Sequence, residues 1–244
     1  AYLLPLAGGA PKGEPWRLTK DSKQILGLAW TPDSREIVFS STRGGRLSLW
    51  LVPVGSGKEP ERIPGTDDGF CPTVSKGPPI RLAFRQLTDE PFLQARPSWS
   101  RDGRWIYFGS DKSGNYQVWK VPAEGGKARQ ITKGGGFESG EAPDGKSLYY
   151  TKTWDRTPGV WSVPVDGGEE IPVIESVRSG HWSLTEKGIY FLDFDVTPAS
   201  AAKPLMLFEF ETRKITQVGV IEGIQLSGMA NSISVSRDGR WVNW

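Results

Sequence analysis

Short runs of alternating apolar and polar residues follow one another along the whole chain, separated by turns rich in Gly, Pro and Asp. Runs with a period of two are typical of half-buried β-strands. Many runs form pairs around Asp-Gly, as in W-S-R-D-G-R-W-I-Y-F from Trp99. Asp-Gly between two such runs indicates a β-hairpin, because both residues tolerate positive φ. The pattern therefore predicts an all-β protein built from hairpins.

The hairpins recur in the same phase, with equivalent positions at Trp30, Val74, Trp99, Glu141, Trp182 and Val235. The spacings between these positions are 44, 25, 42, 41 and 53 residues. Most hairpins are followed by a third run that ends in Pro, a turn of small residues and a fourth run, as in Q-V-W-K-V-P-A-E-G-G-K-A-R-Q-I-T from Gln117. Four strands per repeat and a period in the low forties predict a β-propeller of four-stranded antiparallel blades.

Counting these repeats predicts six blade positions, one of them degenerate, with five blades as the alternative. The degenerate position is the short repeat at 72–96, which lacks a third strand through a natural deletion, an engineered one or residues missing from the chain. The chain begins on a third and fourth strand and ends on a hairpin. We therefore expect one domain over 1–244, with a ring closed by one blade made of outer strands from 1–19 and inner strands from 232–244.

The segment G-E-A-P-D-G-K-S at 140–147 satisfies the pattern of a phosphate-binding loop. Such a loop must leave a strand and open a helix, because the aligned N–H groups of the helix start hold the phosphate. The residues after Ser147 instead read as a strand, L-Y-Y-T, in the phase of the other hairpins. We interpret the match as turn chemistry and predict no nucleotide site.

Composition narrows the functional classes. The chain has 244 residues, a formal net charge of +2 and one cysteine, Cys71. The balanced charge gives no reason to expect nucleic acid as a partner. A single cysteine excludes an internal disulfide and a multi-cysteine metal site. No apolar run reaches the roughly 18 residues that span a bilayer, and no signal peptide opens the chain, so we expect no membrane insertion.

W-S-R-D-G-R-W-I-Y-F from Trp99 and V-W-K-V-P-A-E-G-G-K-A-R-Q-I-T from Val118 resemble the repeats of bacterial TolB-like propellers. They are similar in particular to propeller regions attached to winged-helix regulators and Ser/Thr kinases. The resemblance covers nearly the whole chain. It implies a sensory or protein-binding module in an extracytoplasmic compartment of bacteria, without catalysis of its own.

Candidates for catalysis are weak in this sequence. His181 is the only histidine, and no G-x-S-x-G elbow accompanies it. Asp193 and Asp195 alternate with Phe and could form a carboxylate pair for glycoside chemistry, although a solvated strand end explains them equally well. The recurring aspartates of the hairpins read as turn residues: Asp102, Asp144 and Asp238. The repeat tryptophans read as core residues between blades.

The favoured function is a non-catalytic binding, sensor or scaffold propeller that recognises a protein, a peptide or a small polar ligand. Its site is predicted at the channel mouth, from residues just before the innermost strands: Arg96, Glu138, Arg178, His181 and Asn231. We expect a monomer without cofactor or metal. The alternatives are the accessory propeller of a prolyl-oligopeptidase-type peptidase and a carbohydrate-active propeller hydrolase or lyase.

Overall fold

The computed structural model describes residues 1–20, 23, 25–64, 66, 92–154, 158–193, 202–222 and 233–244. These residues form strands, turns and loops but no helix, and so none of them belongs to a helix that could cross a membrane. The chain separates into two compact units. The terminal unit comprises Ala1–Thr73 with Gly180–Trp244, and the central unit comprises Val74–Ser179.

The strands of the terminal unit come from both ends of the chain. Its first part contains β1 (Tyr2–Ala7), β2 (Ala10–Pro11), β3 (Trp16–Arg17), β4 (Ile25–Trp30), β5 (Glu36–Ser41), β6 (Ser48–Pro53) and β7 (Glu61–Arg62). The central unit contains β8 (Gln94–Trp99), β9 (Trp105–Ser110), β10 (Gln117–Pro122), β11 (Arg129–Gln130), β12 (Glu138–Glu141), β13 (Ser147–Thr151), β14 (Val160–Pro164) and β15 (Ile171–Ile174). The terminal unit then continues with β16 (Trp182–Leu184), β17 (Gly188–Leu192), β18 (Lys203–Glu209), β19 (Ile215–Ile221), β20 (Ser234–Val235) and β21 (Trp241–Asn243).

The strands of each repeat pair in chain order to form one antiparallel sheet. The central unit holds the blades β8-β9-β10-β11 and β12-β13-β14-β15. The terminal unit holds β4-β5-β6-β7, β16-β17-β18-β19 and a closing blade, β20-β21-β1-β2, in which β3 also pairs with β1. Within each unit the first strands of neighbouring blades lie side by side. The fold is a β-propeller of four-stranded antiparallel blades.

The described residues form five blades, which is the alternative count. The prediction of six blade positions was wrong, because it depended on the repeat at 72–96, whose spacing of 25 residues is too short for four strands and their turns. Residues 67–91, including Cys71 and Val74, lie outside the described part of the chain.

The hairpin aspartates are turn residues, as their recurrence predicted. Asp102 Oδ1 accepts hydrogen bonds from the Arg104 N–H at 2.9 Å and from the Ser100 hydroxyl at 2.7 Å. These bonds, the one from the Arg104 N–H above all, lower the pKa of Asp102 to about 2. Asp144 accepts the same backbone bond from Lys146 at 2.9 Å, and Asp238 accepts it from Arg240 at 3.0 Å.

Trp182 does not occupy the repeat position that the sequence assigned to it. In the other described hairpins that position is the last pair before the turn, as for Trp99 with Ile106. In this hairpin the last pair is Leu184 with Ile189, and Trp182 pairs with Phe191. The turn after β16 is two residues shorter than the Asp-Gly turns. The repeat position therefore falls on Leu184, two residues after Trp182.

The closing blade joins the two ends of the chain. Strand β1 pairs with β21, with Leu4 opposite Val242 and Pro5 opposite Trp241. The Tyr2 N–H adds a hydrogen bond of 2.9 Å to the Trp244 carbonyl, and the two rings stack with centroids 5.9 Å apart. Both ends are therefore held by one sheet of the terminal unit.

Apolar faces of neighbouring blades pack together within each unit. In the terminal unit, β17 and β18 pack against the closing blade through a buried cluster that includes Tyr190, Leu207, Leu4, Val235 and Val242. In the central unit, the corresponding cluster joins its two blades through Tyr107, Val118, Leu148, Tyr150 and Val163. Because burial of each such side chain stabilises by roughly 1.5–3 kcal/mol, these interfaces contribute substantially to stability.

Gly109 allows the two blades of the central unit to approach closely. A Cβ atom at this position would collide with the backbone carbonyl of Phe137. We therefore expect Gly109→Ala to lower the free energy of unfolding by about 2 kcal/mol, because backbone atoms must move to make room. Urea denaturation measures the change. Gly103→Ala is a contrasting variant: its Cβ meets nothing within 4 Å but its φ is +71°, so it reports backbone strain without a collision, whereas Gly109 has a collision without positive φ. Equal m-values and an unchanged midpoint for Gly109→Ala would contradict the close approach.

Candidate functional site

Arg96 and Glu138 meet where the first strands of the two central blades lie side by side. Arg96 belongs to β8 and Glu138 is the first residue of β12. Arg96 Nε is 3.6 Å from Glu138 Oε2, and each side chain is 9% exposed. The two charges are thus desolvated and paired. The sequence had placed both residues just before the innermost strands, but in the structure they lie within these strands.

The backbone at Arg96 is strained. The pairing of β8 with β9 shifts register between Ala95 and Ser98, which is a β-bulge, and Arg96 within it has a φ of 53°. A bulge re-aims a side chain, and positive φ in a non-glycine residue costs roughly 1–3 kcal/mol that the surrounding structure must offset. Such features concentrate at functional sites. The bulge thus indicates a functional role for Arg96 independently of its charge.

An aromatic ring lies beside the ion pair and is supported by a second ring. The Arg96 guanidinium carbon is 5.9 Å from the centroid of the Phe137 ring. Phe137 is buried, and the half-buried ring of Tyr116 meets it edge-on at a centroid distance of 5.2 Å. At this distance the Phe137 ring attracts the guanidinium by a cation–π interaction.

The loop before Phe137 is held by a network of polar contacts. Glu170 accepts hydrogen bonds from the Lys133 N–H at 2.6 Å, the Gly134 N–H at 3.0 Å and the Tyr150 hydroxyl at 2.8 Å. Burial raises the pKa of Glu170, but these hydrogen bonds and the nearby Lys152 ammonium outweigh it and hold the pKa below its usual value. The loop that delivers Phe137 and Glu138 to the site is therefore fixed by a charged anchor.

Sequence reasoning missed several features on or next to the strands that carry the pair. The hydroxyls of Ser98 and Ser139, one on each first strand, are buried and make no hydrogen bond among the described residues. Buried hydroxyls without a protein partner mark places where water or a ligand group completes the bonding. Phe92 and Leu93, just before β8, are 42% and 65% exposed. A serine in a strand and an apolar residue before one give no distinguishing signal in sequence.

The remaining predicted site residues are Arg178, His181 and Asn231. Arg178 is half-buried in the central unit, beside Ser179, whose hydroxyl is 3.3 Å from that of Thr151. His181 belongs to the terminal unit, is 3% exposed and accepts a hydrogen bond from the Leu192 N–H through its carbonyl. Asn231 lies outside the described residues. Arg96 and Glu138 are thus the two that the structure brings into contact.

No family model matches the chain. An uncharacterized protein of Agrobacterium fabrum, Atu1656, is 27% identical over 131 residues, which are 54% of this chain and 34% of that protein. The match therefore spans about a third of the length of that relative.

Among solved structures, TolB from Agrobacterium tumefaciens is 18% identical, with a TM-score of 0.50 over 98% of this chain and 83% of that one. The fold is that of a TolB-like β-propeller. A chain in the crystal structure of the nidogen/laminin complex is 13% identical, with a TM-score of 0.59 over 90% of this chain and 97% of that one. At these identities the likeness concerns the fold.

The other candidate residues of the chain lie on hairpins and at a strand end. The phosphate-loop pattern at 140–147 spans β12, a hairpin turn and the start of β13, so a strand follows it and not a helix. The Asp193 N–H donates to the Pro204 carbonyl at 3.1 Å, while Asp195 lies outside the described residues. In the part of the chain that is described, no three His, Cys, Asp or Glu side chains are grouped as metal ligands would be.

Proposed function

We propose that this chain is a non-catalytic binding module that recognises a protein segment, a peptide or a small polar ligand through a site in its central unit. The site consists of Arg96, Glu138 and the Phe137–Tyr116 aromatic pair. The observation that carries the proposal is the buried Arg96–Glu138 pair, 3.6 Å apart, on a bulge with positive φ. A protein or peptide partner, an extracytoplasmic location in bacteria and a monomeric state belong to the same proposal.

Stability alone is a poor reason for this arrangement. The attraction within a buried ion pair is largely offset by the cost of removing both charges from water. The bulge adds a further cost of roughly 1–3 kcal/mol. A binding role explains why these costs are tolerated, because charges fixed in advance on rigid strands bind a polar partner without further loss of side-chain entropy.

The surroundings suit a protein partner. Phe92 and Leu93 are exposed apolar residues at the start of β8, where the Leu93 N–H donates to Asp111 Oδ1 at 3.0 Å. Binding energy in protein interfaces concentrates in arginines and aromatic residues surrounded by apolar contacts. The nidogen/laminin structure, whose fold is similar, is itself a protein–protein complex. Arg96 beside Phe137, with exposed apolar residues a few positions earlier in the chain, has this composition.

Selection of peptides from a random displayed library against the immobilised full chain tests the proposal. The variant Arg96→Met/Glu138→Leu removes both charges together, because replacing a buried pair by apolar residues usually leaves stability unchanged or improved. Peptides selected on the wild-type chain are expected to bind the double variant at least about 10-fold more weakly, measured by calorimetry, since lost charged hydrogen bonds cost about 1.5–3 kcal/mol.

The matched control is Lys20→Met/Glu59→Leu, which removes an exposed pair whose side chains are 76% and 67% exposed. This control should bind the selected peptides as the wild-type chain does. Thermal unfolding of both variants shows that they are folded. Equal affinity for the wild-type chain and for Arg96→Met/Glu138→Leu would contradict the proposed site.

A further inference from the structure

A cavity of about 260 Å³ opens in the terminal unit between the blade β16–β19 and the closing blade. Its walls are three turns: Gly8–Gly9 after β1, Thr185–Lys187 after β16 and Arg237–Arg240 after β20. Tyr190 of β17 also lines it, although the residue as a whole is 1% exposed. The short turn after β16 that displaces Trp182 is one side of this opening.

Tyr190 has a counterpart in the central unit. Tyr107 follows Ile106, the first paired residue after its hairpin turn, as Tyr190 follows Ile189. The Tyr107 hydroxyl donates to Glu141 Oε2 of the next blade at 2.7 Å. At this position the fold thus buries a tyrosine whose hydroxyl binds a carboxylate from the neighbouring blade.

In the terminal unit that carboxylate is replaced by an apolar side chain. Glu141 is the last paired residue before the hairpin turn of its blade, and Val235 holds this place in the closing blade. No described residue accepts a hydrogen bond from the Tyr190 hydroxyl. Burial raises the pKa of Tyr190, with Glu209 adding to the effect, so the hydroxyl stays protonated and is a donor at neutral pH.

Charged side chains surround the rim of the cavity. Lys187, Arg237 and Arg240 line it together with Glu186 and Asp238. Asp238 is engaged on both oxygens, by the Ser236 hydroxyl at 2.6 Å on one and by Arg240 Nε at 2.7 Å on the other. Lys187 Nζ lies 2.9 Å from Glu209 Oε1. The cations at the rim are thus balanced by carboxylates, and the Tyr190 hydroxyl is the donor that a bound group would meet.

Gly9 keeps the hydroxyl accessible. A Cβ atom on Gly9 would lie 2.9 Å from the Tyr190 hydroxyl and 3.5 Å from Lys187 Nζ. Any other residue here would place its side chain on these two groups. The tyrosine donor and the lysine cation therefore face the same small volume, which only a glycine leaves open.

We propose that this cavity binds a carboxylate group, which accepts a hydrogen bond from the Tyr190 hydroxyl and lies beside Lys187, in the role that Glu141 has for Tyr107. The cavity is smaller than the roughly 300–1,000 Å³ of drug-sized sites. It therefore holds a short dicarboxylate or the carboxyl terminus of a chain, and not a large ligand. It is separate from the site of Arg96 and does not rest on the proposed function.

The test is a titration of the full chain, labelled with ¹³C in its tyrosine rings, followed by NMR. The probes are glutarate, an N-acetylated dipeptide with a free carboxyl terminus, and the same dipeptide as its amide. We expect saturable shifts of the Tyr190 signals, with a dissociation constant at or below about 1 mM, for glutarate or the free dipeptide and none for the amide. Binding of glutarate but not of the free dipeptide identifies a small dicarboxylate as the ligand. Binding of the free dipeptide identifies the carboxyl terminus of a chain.

Two variants and one matched control complete the test. Tyr190→Phe removes only the hydroxyl and should weaken binding about 10-fold without loss of stability, because no protein partner is left behind. Val235→Glu supplies the carboxylate from the chain itself and should abolish binding of the probe. Tyr107→Phe makes the same chemical change in the central unit and should leave binding intact while lowering stability, since Glu141 loses a partner.

The proposal is overturned if neither carboxylate probe shifts the Tyr190 signals, or if the amide binds as well as the free acid. It is also overturned if Tyr190→Phe binds as the wild-type chain does. If the glutamate of Val235→Glu prevents folding, Gly9→Ala, which fills the same volume, takes its place. Unaltered binding in either folded variant contradicts the site.

Discussion

Deletion of residues 233–244 is expected to unfold the terminal unit and not merely to fray one end. The segment contains β20 and β21, so β1 loses its partner on one edge and keeps only β2 and β3. It also contributes Ile233, Val235 and Val242, each at most 4% exposed, to the cluster against β17 and β18. Burial of three such side chains is worth roughly 5–9 kcal/mol, which is comparable to the whole stability of an ordinary domain.

Size-exclusion chromatography and a thermal scan of the truncated chain, beside the full chain, measure this effect. We expect an early-eluting species and loss of the cooperative transition, because β1 then presents an unpaired edge. The matched control adds the deleted segment as a synthetic peptide, which should restore the transition, whereas the same peptide with Val235→Lys and Val242→Lys should not. A truncated monomer that melts like the full chain would show that the closing blade contributes nothing.

Replacement of Trp30 by Ala is expected to lower the free energy of unfolding by about 4 kcal/mol. The indole is 8% exposed and packs in the cluster of Leu28, Ile37 and Phe39. Its Nε1–H donates to Asn243 Oδ1 at 3.1 Å. Asn243 is fully buried, and its Nδ2 makes no hydrogen bond among the described residues. Loss of the indole therefore creates a cavity and removes the hydrogen bond that the buried Asn243 Oδ1 accepts.

Denaturation in urea separates the two contributions. Trp30→Phe keeps most of the apolar volume and loses the donor, so we expect about half the effect. Trp99→Ala changes the same repeat position in the central unit, but Trp99 is half-buried, and we expect a smaller loss than at Trp30. Equal losses at the two tryptophans would mean that burial and the bond to Asn243 do not distinguish them.

Much of the fold is readable from local sequence. Asp-Gly turns located the hairpins, because the aspartate oxygen binds the N–H two residues on whatever surrounds it, as Asp102 does for Arg104. Prolines located the ends of third strands at Pro53, Pro122 and Pro164. These features depend on residues a few positions apart, and so a single sequence displays them.

The blade count and the position of Trp182 depend on lengths that local chemistry does not set. A turn of different length keeps the same hairpin but moves every pair, as Leu184 opposite Ile189 shows. The repeat at 72–96 carried strand-like residues without room for a blade. Patterning identifies a strand; whether the strand joins a sheet depends on the partners available to it.

The two sites differ in how far sequence could predict them. Arg96 and Glu138 each lie three residues before the repeat positions Trp99 and Glu141, so the repeat itself indicates that they are neighbours. The cavity at Tyr190 gives no such signal. It arises because Val235 stands where another blade has Glu141, and this difference becomes visible only when the residue facing the tyrosine is known.

The pairing of β1 with β21 has a consequence for the order of events during synthesis. Tyr2–Ala7 is synthesised about 230 residues before its partner Trp241–Asn243. At roughly 5–20 residues per second, the first strand remains without its native neighbour for roughly 10–50 s. Pro5 lies in the middle of this apolar strand and has no N–H to offer to a foreign strand. The proline thus protects the nascent chain while the position opposite it, later taken by Trp241, is still empty.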